Sequence, residues 1–447
     1  MYYYIFINNS VGKAFVCNGN ISVRPKKGEK MKYAILGFGS RGDFYDGLFK
    51  QIENTQLAAV CDKRQSRLDL CKTRHNGENV RYFTDDKEFF AAGKLADLCV
   101  ISTLDEQHAD HAEAALKCGY DLLLEKPIAC SEADCERIYR TATELNRKVT
   151  VCHVLRYAPF FAAIKHEIES GAYGKIQTIT LTENVGWWHQ AHSYVRGNWH
   201  NTKKTSPMII AKCCHDLDLL NWFMGCDPSS VSSMGSLDYF TRKNAPENSG
   251  DNCYDCPAAK DCLYNCEFIY WDLQLKKGNS AWPVDVILFG KEPTHENLTA
   301  ALKASPYCKC VFKNDNDAVD HQVVNVLYEN GSTAQLTMTA FSEKGGRDIY
   351  LHCEKGEIYG QMSDNIIHCT LFGKSSKQID INKESDNNFG HGGGDIRMIH
   401  NIVDGYENRH TYDISSLSQS MSSHMLGFAS ERSRINGGMP EKIKKLK

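Results

Sequence analysis

The 447-residue chain has almost no charge imbalance: 52 Lys and Arg against 55 Asp and Glu leave a formal net charge of -3. Without a basic excess it lacks the means to neutralise a phosphate backbone, so nucleic acid is not an expected partner. No apolar run approaches the roughly 18 residues that a membrane helix needs, so no membrane partner is expected either. The opening residues MYYYIFINNS lack the basic start and long apolar core of an export signal. Solenoid-type repeats and long low-complexity tracts are also missing. Hydrophobic residues at 42% and charged residues at 24% exclude disorder throughout. At roughly 150 residues per domain, the length predicts two or three domains.

Cysteine, by contrast, is plentiful. The 19 cysteines are odd in number and spread from Cys17 to Cys369, which suits the reducing cytoplasm, where thiols pack or bind metal rather than bridge. Residues 1–30 stand outside the pattern that follows and are read as a leader, either a mis-assigned start or a disordered arm. Lys27-Gly28-Glu29-Lys30 just before Met31 back-translates readily to a purine-rich GGAGAA stretch, as a bacterial ribosome-binding site upstream of a true start codon would.

From Tyr33 the apolar runs YAIL, LAAVC (57–61), LCVI (98–101) and DLLLEKP (from 121) alternate with amphipathic segments. Buried parallel strands separated by helices give that rhythm, and a doubly wound parallel sheet is expected over 31–150. Ala109, Ala112 and Leu116 share a helical face, and Ser131 is the expected N-cap of a helix running to about Leu145. After residue 150 the pattern changes. KIQTITLTEN (175–184) alternates with period two, and QVVNVLYENGSTAQLTMTAF (322–341) places Asn330-Gly331 between two alternating runs, the signature of a hairpin. Residues 151–447 are therefore expected to form an α+β domain with a large open, mostly antiparallel sheet. It is interrupted at about 242–318 by a polar, cysteine-rich insertion.

AILGFGSRG (34–42) is G-x-G-x-x-G directly behind a strand. Gly37 permits the tight turn, Gly39 lets a pyrophosphate approach the backbone, and Gly42 lets helix and strand pack closely, with Ser40 and Arg41 beside them. Asp62 ends the second strand, where a carboxylate holds ribose hydroxyls; Lys63 and Arg64 follow. NAD is expected, with NADP as the alternative if those cations accept a 2'-phosphate. Glu125-Lys126-Pro127 ends the strand DLLL, placing Lys126 at the carboxyl edge where open α/β sheets bind ligands. A lysine there acts as acid or base, or holds a hydroxyl; its bland alternative is a solvated charge.

GFGSRG, ISTLDEQHADHAEAALKCGYDLLLEKP and KCCHDLDLLNWF (212–223) together resemble the Gfo/Idh/MocA oxidoreductase family over nearly the whole chain from Met31. The resemblance implies a Rossmann domain, an α/β domain whose sheet mediates assembly as a homodimer or homotetramer, and oxidation or reduction of a sugar or cyclitol alcohol with NAD(P). It makes Lys126 the lysine that orients or protonates the reacting oxygen, and His215 the acid/base of a D-x-x-x-H pattern. Here the Asp position is Ala211, with Lys212 beside it, either as a second cation or as an anchor for Asp216 or Asp218. Read from the residues alone, the helix expected over Met208–Met224 is buried, and His215 in it could equally be a satisfied core histidine.

Further residues are expected near the ligands: Thr103, His108 and Glu125 at the cofactor, with His111 on the surface. Arg156, Tyr157, Lys212 and His391 are expected at the substrate. The loop 184–201, with Trp188, His192 and Arg196, has the mixture of ring faces and polar edges that suits a carbohydrate, or else is an aromatic packing loop. FGHGGGD (389–395) is similar to segments of NAD-dependent glycosidases of this superfamily. In the insertion, Cys253-x2-Cys256-x5-Cys262, with Cys310 or Cys266 as the fourth ligand, suggests a structural zinc; free thiols and an iron–sulfur centre are the alternatives.

The expected activity is that of an NAD(P)-dependent oxidoreductase acting on a sugar, sugar derivative or inositol. The alternatives are a glycosidase working through transient oxidation on bound NAD, and a non-catalytic sensor of NAD or sugars.

Overall fold

In the computed structural model of the chain, residues 30–383, 390–408 and 414–445 are described. The leader read at 1–30 thus lies, but for Lys30, outside them. The short apolar runs form β1 (Met31–Leu36), β2 (Thr55–Cys61), β3 (Arg81–Phe83), β4 (Leu98–Ile101), β5 (Asp121–Leu124) and β6 (Val149–Val151). They lie in the order β3-β2-β1-β4-β5-β6, each pair parallel, with helices on both faces. Every residue of β4 is buried, which is why that strand reads as a continuous apolar run rather than an alternating one. Ser131 caps the helix Glu132–Glu144 by accepting from the Asp134 N–H at 3.1 Å.

The second sheet is built from β7 (Ile176–Gly186), β8 (Pro228–Ser236), β9 (His321–Tyr328), β10 (Thr333–Ser342), β11 (Gly346–Cys353), β12 (Gly356–Gln361), β13 (Ile366–Leu371), β14 (Lys377–Asp380) and β15 (Glu441–Lys442). Its order is β14-β13-β12-β11-β7-β10-β9-β8-β15; β7 and β10 run parallel, and the other pairs are antiparallel. The hairpin β9–β10 turns at the expected dipeptide, where Gly331 adopts φ +83°.

Two local differences matter for the site. The helix expected over Met208–Met224 is two helices, Met208–Ala211 and Cys214–Met224, broken at Lys212–Cys213. The break leaves the Ala211 carbonyl available to a side chain. The insertion, polar in composition, nevertheless has its own apolar centre: Tyr264, Ile269, Tyr270, Ile287, Leu298 and Leu302 are buried together, with Trp187 and Trp188 packed against them. The two sheets are braced by the helix Leu417–Ile435, which packs against the helices Glu132–Glu144 and Cys214–Met224, β6 and β8. The Ser415 carbonyl just before it accepts the Val151 N–H at 2.9 Å, and His424 on it accepts the Ile128 N–H at 2.9 Å.

Candidate active site

The Gly-rich loop leaves β1 and enters the helix Ser40–Phe49. Gly37 sits at φ +92°, and a Cβ there would come within 2.6 Å of the Ser102 carbonyl oxygen; at Gly42 it would come within 2.1 Å of the Gly37 carbonyl oxygen. At Gly39 an added Cβ would meet only the Arg64 guanidinium, at 3.7 Å, so the loop is open on that side. Asp62 accepts the Phe38 N–H at 2.9 Å and is paired with Arg64 at 3.0 Å. Burial pushes its carboxyl up, but the bonds from Arg64 and the Phe38 N–H outweigh that and hold it below the usual carboxylate range. A bare turn, a helix N-terminus at Ser40 and an ionised carboxylate at the tip of β2 fit a dinucleotide. Lys63 is exposed beside Asp62.

Several residues expected at the cofactor are committed elsewhere. Arg41 turns inward to Glu125 and Asp395, at 2.6 Å each, and Tyr45 donates to the same Glu125 oxygen at 2.7 Å. Arg41 and Glu125 are thus tied to one another, because a buried carboxylate needs a cation and Arg41 supplies it. His108 lies between two carbonyls, Nδ1 2.7 Å from Pro127 and Nε2 3.2 Å from Thr103, and so ties the loop after β4 to the loop after β5. His111, read as a surface residue, is buried; its Nδ1 is 3.0 Å from the Thr103 hydroxyl and its Nε2 3.4 Å from Asp86.

Lys126 and His215 meet through the broken helix. The Lys126 ammonium donates to the Ala211 carbonyl at 2.9 Å, one helical turn before His215. His215 is buried, and its Nδ1 has no hydrogen-bond partner. Burial first, then the Lys126 charge and the imidazoles of His153 and His391, hold its ring well below the ordinary histidine range, so it is neutral. The His153 and His391 rings lie 5.7 and 5.8 Å from it, centroid to centroid. His391 has φ +50°, and its Nδ1 is 2.7 Å from Asp395. Gly394 allows this loop to close in, since a Cβ there would come within 2.3 Å of the Val154 carbonyl oxygen.

Lys212 anchors neither Asp216 nor Asp218. Its ammonium is 3.2 Å from Glu183, which also pairs with Arg347 at 2.6 Å, while Arg347 bonds Asp216 at 2.7 Å. Burial raises the Asp216 carboxyl; Arg347 opposes this and neighbouring Glu183 adds to it, leaving it at about 7. His189 belongs to the loop 184–201 read as suiting a carbohydrate, and its ring lies against Trp282 with centroids 4.7 Å apart. Burial, then Lys212 and the His192 ring, hold its own ring well below the ordinary histidine range.

The remaining residues expected at the substrate have structural partners. Arg156 is buried, bonds both oxygens of Asp218 at 2.7 Å and reaches the Ile414 carbonyl. The Tyr157 hydroxyl is 3.1 Å from the Ser415 hydroxyl, on the side of the bracing helix. Trp188 packs on Trp282 with ring centroids 5.3 Å apart. His192 stacks on Tyr307 at 4.6 Å, with its Nδ1 3.0 Å from the Tyr270 hydroxyl. Arg196 donates to the Lys309 and Tyr264 carbonyls at 2.7 Å each. The loop 184–201 therefore serves as the seat of the insertion: its aromatic rings bury against the insertion's apolar centre. Nothing in its composition distinguishes such a seat from a carbohydrate pocket.

The zinc expectation is not borne out. Among the described residues no group of three or more His, Cys, Asp or Glu side chains stands where it could hold a metal ion. The sulfurs expected as ligands are engaged by protein donors: Cys253 lies 3.5 Å from the Arg196 guanidinium and accepts the Cys266 N–H at 3.4 Å, and Cys256 accepts the Gly250 N–H at 3.2 Å. Cys262 and Cys310 are free thiols nearby, their pKa values raised by burial.

Comparison with known proteins adds the family. The model described as an oxidoreductase family with an NAD-binding Rossmann fold matches residues 31–153, and that of its C-terminal alpha/beta domain matches 165–282. YteT of Bacillus subtilis (strain 168) is 24% identical over 384 residues, 80% of this chain and 84% of its own length. Inositol 2-dehydrogenase of Salmonella typhimurium is 25% identical over 222 residues, 48% of this chain and 59% of its own length. Among solved structures, the WlbA dehydrogenase from Bordetella pertussis, in complex with NADH and UDP-GlcNAcA, is 16% identical with a TM-score of 0.68, covering 94% of this chain and 100% of that one. An oxidoreductase from Agrobacterium radiobacter, in complex with NAD+, L-tartaric acid and magnesium, is 16% identical with a TM-score of 0.66, covering 93% and 98%. At such identity the solved structures speak for the fold, and the two family models speak for membership: the chain belongs to the Gfo/Idh/MocA oxidoreductase family.

Proposed function

We propose that the chain is a dehydrogenase that moves hydride between NAD(P) and a secondary alcohol of a sugar, sugar derivative or inositol, with NAD preferred. The observation that carries this reading is the 2.9 Å bond from Lys126 to the Ala211 carbonyl, which brings an ammonium to the break just ahead of the helix that carries the neutral His215 imidazole. Gly37, Gly39, Ser40 and Gly42 would hold the pyrophosphate and Asp62 a ribose, and Asp62 disfavours a 2'-phosphate. Bound NAD(P) supplies the hydride acceptor. Lys126 orients the reacting oxygen and stabilises negative charge on it, and His215, uncharged, accepts the hydroxyl proton. Lys212, whose charge acts on the His189 ring, is assigned with His189 to the substrate.

The names of the relatives support the polyol class: an inositol dehydrogenase, and a structure holding a nucleotide sugar. The free thiols, at every described cysteine, suit a reducing cytoplasm. Assembly as a homodimer or homotetramer through the nine-stranded sheet belongs to the same reading. One face of that sheet carries Tyr350 and His352 with ring centroids 4.1 Å apart, and Tyr350 and Tyr359 5.6 Å apart.

The test is reduction of added NAD, followed at 340 nm, with a panel of inositols, aldoses and UDP-sugars. Turnover on at least one member is expected. Release of a chromogenic aglycone with no net NAD reduction would replace this reading by the NAD-dependent glycosidase. Binding without either reaction would replace it by the sensor.

A further inference from the structure

A base buried as deeply as His215 has a difficulty that the dehydrogenase reading leaves open. Its Nδ1 is buried with no partner, and no carboxylate is bonded to it. Position 211, one turn earlier, is an alanine whose carbonyl is occupied by Lys126. Taking up a proton would place an imidazolium beside the Lys126 ammonium, in a site whose burial and charge already oppose it. A proton accepted there must move on.

We propose that His391, backed by Asp395, is the proton relay of this site: it takes the substrate's hydroxyl proton from His215 and passes it to solvent. The two rings are neighbours at 5.8 Å between centroids. His391 turns its Nδ1 to Asp395 at 2.7 Å, which leaves Nε2 as the nitrogen that exchanges protons. Its side chain is 38% exposed whereas His215 is 4% exposed, so the pair leads from the buried site to water. Behind it, Asp395 has no exposed side-chain surface and is bonded at 2.6 Å to Arg41. Burial raises the Asp395 carboxyl, but Arg41 and then His391 overcome that and keep it ionised. An ionised carboxylate on Nδ1 stabilises the imidazolium formed when Nε2 takes a proton.

In the oxidative direction the hydroxyl O–H bond breaks and an N–H bond forms on His215. That N–H then breaks as Nε2 of His391 gains the proton, and water receives it last. In the reductive direction every transfer reverses. Asp395 and Arg41 are positioning residues that act through His391. Arg41 also belongs to the Gly-rich loop, so the relay is fastened to the cofactor side of the cleft.

The proposal rests on the role given to His215 above, and its test therefore has two readouts on the full-length protein. With the panel member that turns over fastest, His391→Ala should lower kcat by roughly a hundredfold. KM should change little, and NAD binding, followed by quenching of tryptophan fluorescence, should persist. Added imidazole should restore kcat in His391→Ala, and His391→Gln should be as slow without restoration by a bulky base such as 2-methylimidazole. Unchanged kcat, or a loss with intact NAD binding that imidazole does not relieve, overturns the relay. The second readout needs no turnover: ¹⁵N spectra of histidine-labelled wild-type protein should show His391 with hydrogen on Nδ1 and a bare Nε2, and Asp395→Asn should disturb that state. A bare Nδ1 in the wild type overturns the relay. If no panel member reacts, the dehydrogenase reading fails and the relay with it; turnover by the wild type with a bare Nδ1 on His391 overturns the relay alone.

Discussion

In the proposed dehydrogenase, Lys126 and Asp62 carry most of the chemistry at the level of single side chains, and each is exposed to a direct test. Lys126→Ala removes the ammonium assigned to the reacting oxygen and frees the Ala211 carbonyl. Turnover is expected to fall by roughly a hundredfold to ten-thousandfold, with NAD affinity preserved. Unchanged turnover in steady-state assays would refute the role. Asp62→Ala releases Arg64, now bonded to that carboxylate at 3.0 Å, to meet a 2'-phosphate. Loss of about 1 kcal/mol of like-charge repulsion shifts the NADP to NAD ratio of kcat/KM by about fivefold toward NADP. A ratio that does not move would place the ribose contact elsewhere. Both residues are legible in the sequence because local rules locate them: each ends a buried parallel strand at the carboxyl edge. Asp395 could have been found as well, four residues beyond His391 on a helix that the glycines announce. Arg41 and Arg156 could not. Their partners Asp395 and Asp218 lie far along the chain, and an arginine reads alike whether it awaits a phosphate or pairs with a buried carboxylate.

The insertion is the element whose placement changes the reading most. Its short helix Val284–Leu288 carries Asp285 to within 3.0 Å of the Ser40 hydroxyl, at the N-terminus of the helix that opens the Gly-rich loop. The next residue after that helix, Phe289, lies against the guanidinium groups of Arg64 and Arg67 at 5.8 and 5.3 Å. A carboxylate thus stands beside the helix end proposed to hold the pyrophosphate, where its like charge would oppose that group. Asp285→Asn is expected to tighten NAD by about 1 kcal/mol, or about fivefold in Kd, in a calorimetric or fluorescence titration. Equal or weaker binding would show that Asp285 does not oppose the cofactor. Sequence reasoning saw the insertion's cysteines and missed its aromatic centre, because apolar residues spaced without period two or 3.6 leave no pattern to read. The strands of both sheets do have such a period or a buried run, which is why their order of appearance was legible while the seating of 242–318 was not.

For the molecule as a whole, buried histidines link stability to pH, His153, His192 and His424 among them. Burial lowers His153 from 6.5 to about 4, and His192 and His424 from 6.5 to about 3. Between those values the unfolded chain binds protons that the folded one refuses, so stability is complete above about 6.5 and declines as pH falls through that window. Each histidine contributes roughly 1.4 kcal/mol for each unit of pH descended. Urea unfolding at a series of pH values below neutrality should show this slope, and His424→Gln, which keeps an acceptor for the Ile128 N–H, should flatten it in part. A slope unaffected in that variant would assign the acid sensitivity to other groups.

The bracing helix Leu417–Ile435 has a consequence for how the chain comes into being. The nucleotide-binding sheet is encoded first, yet its edge strand β6 obtains a partner for the Val151 N–H from Ser415, and the loop after β5 obtains one for the Ile128 N–H from His424. Domains usually complete themselves in the order of synthesis. Here two main-chain donors of that layer find their acceptors only in Ser415 and His424, so a chain cut ahead of Ser415 would leave both donors open.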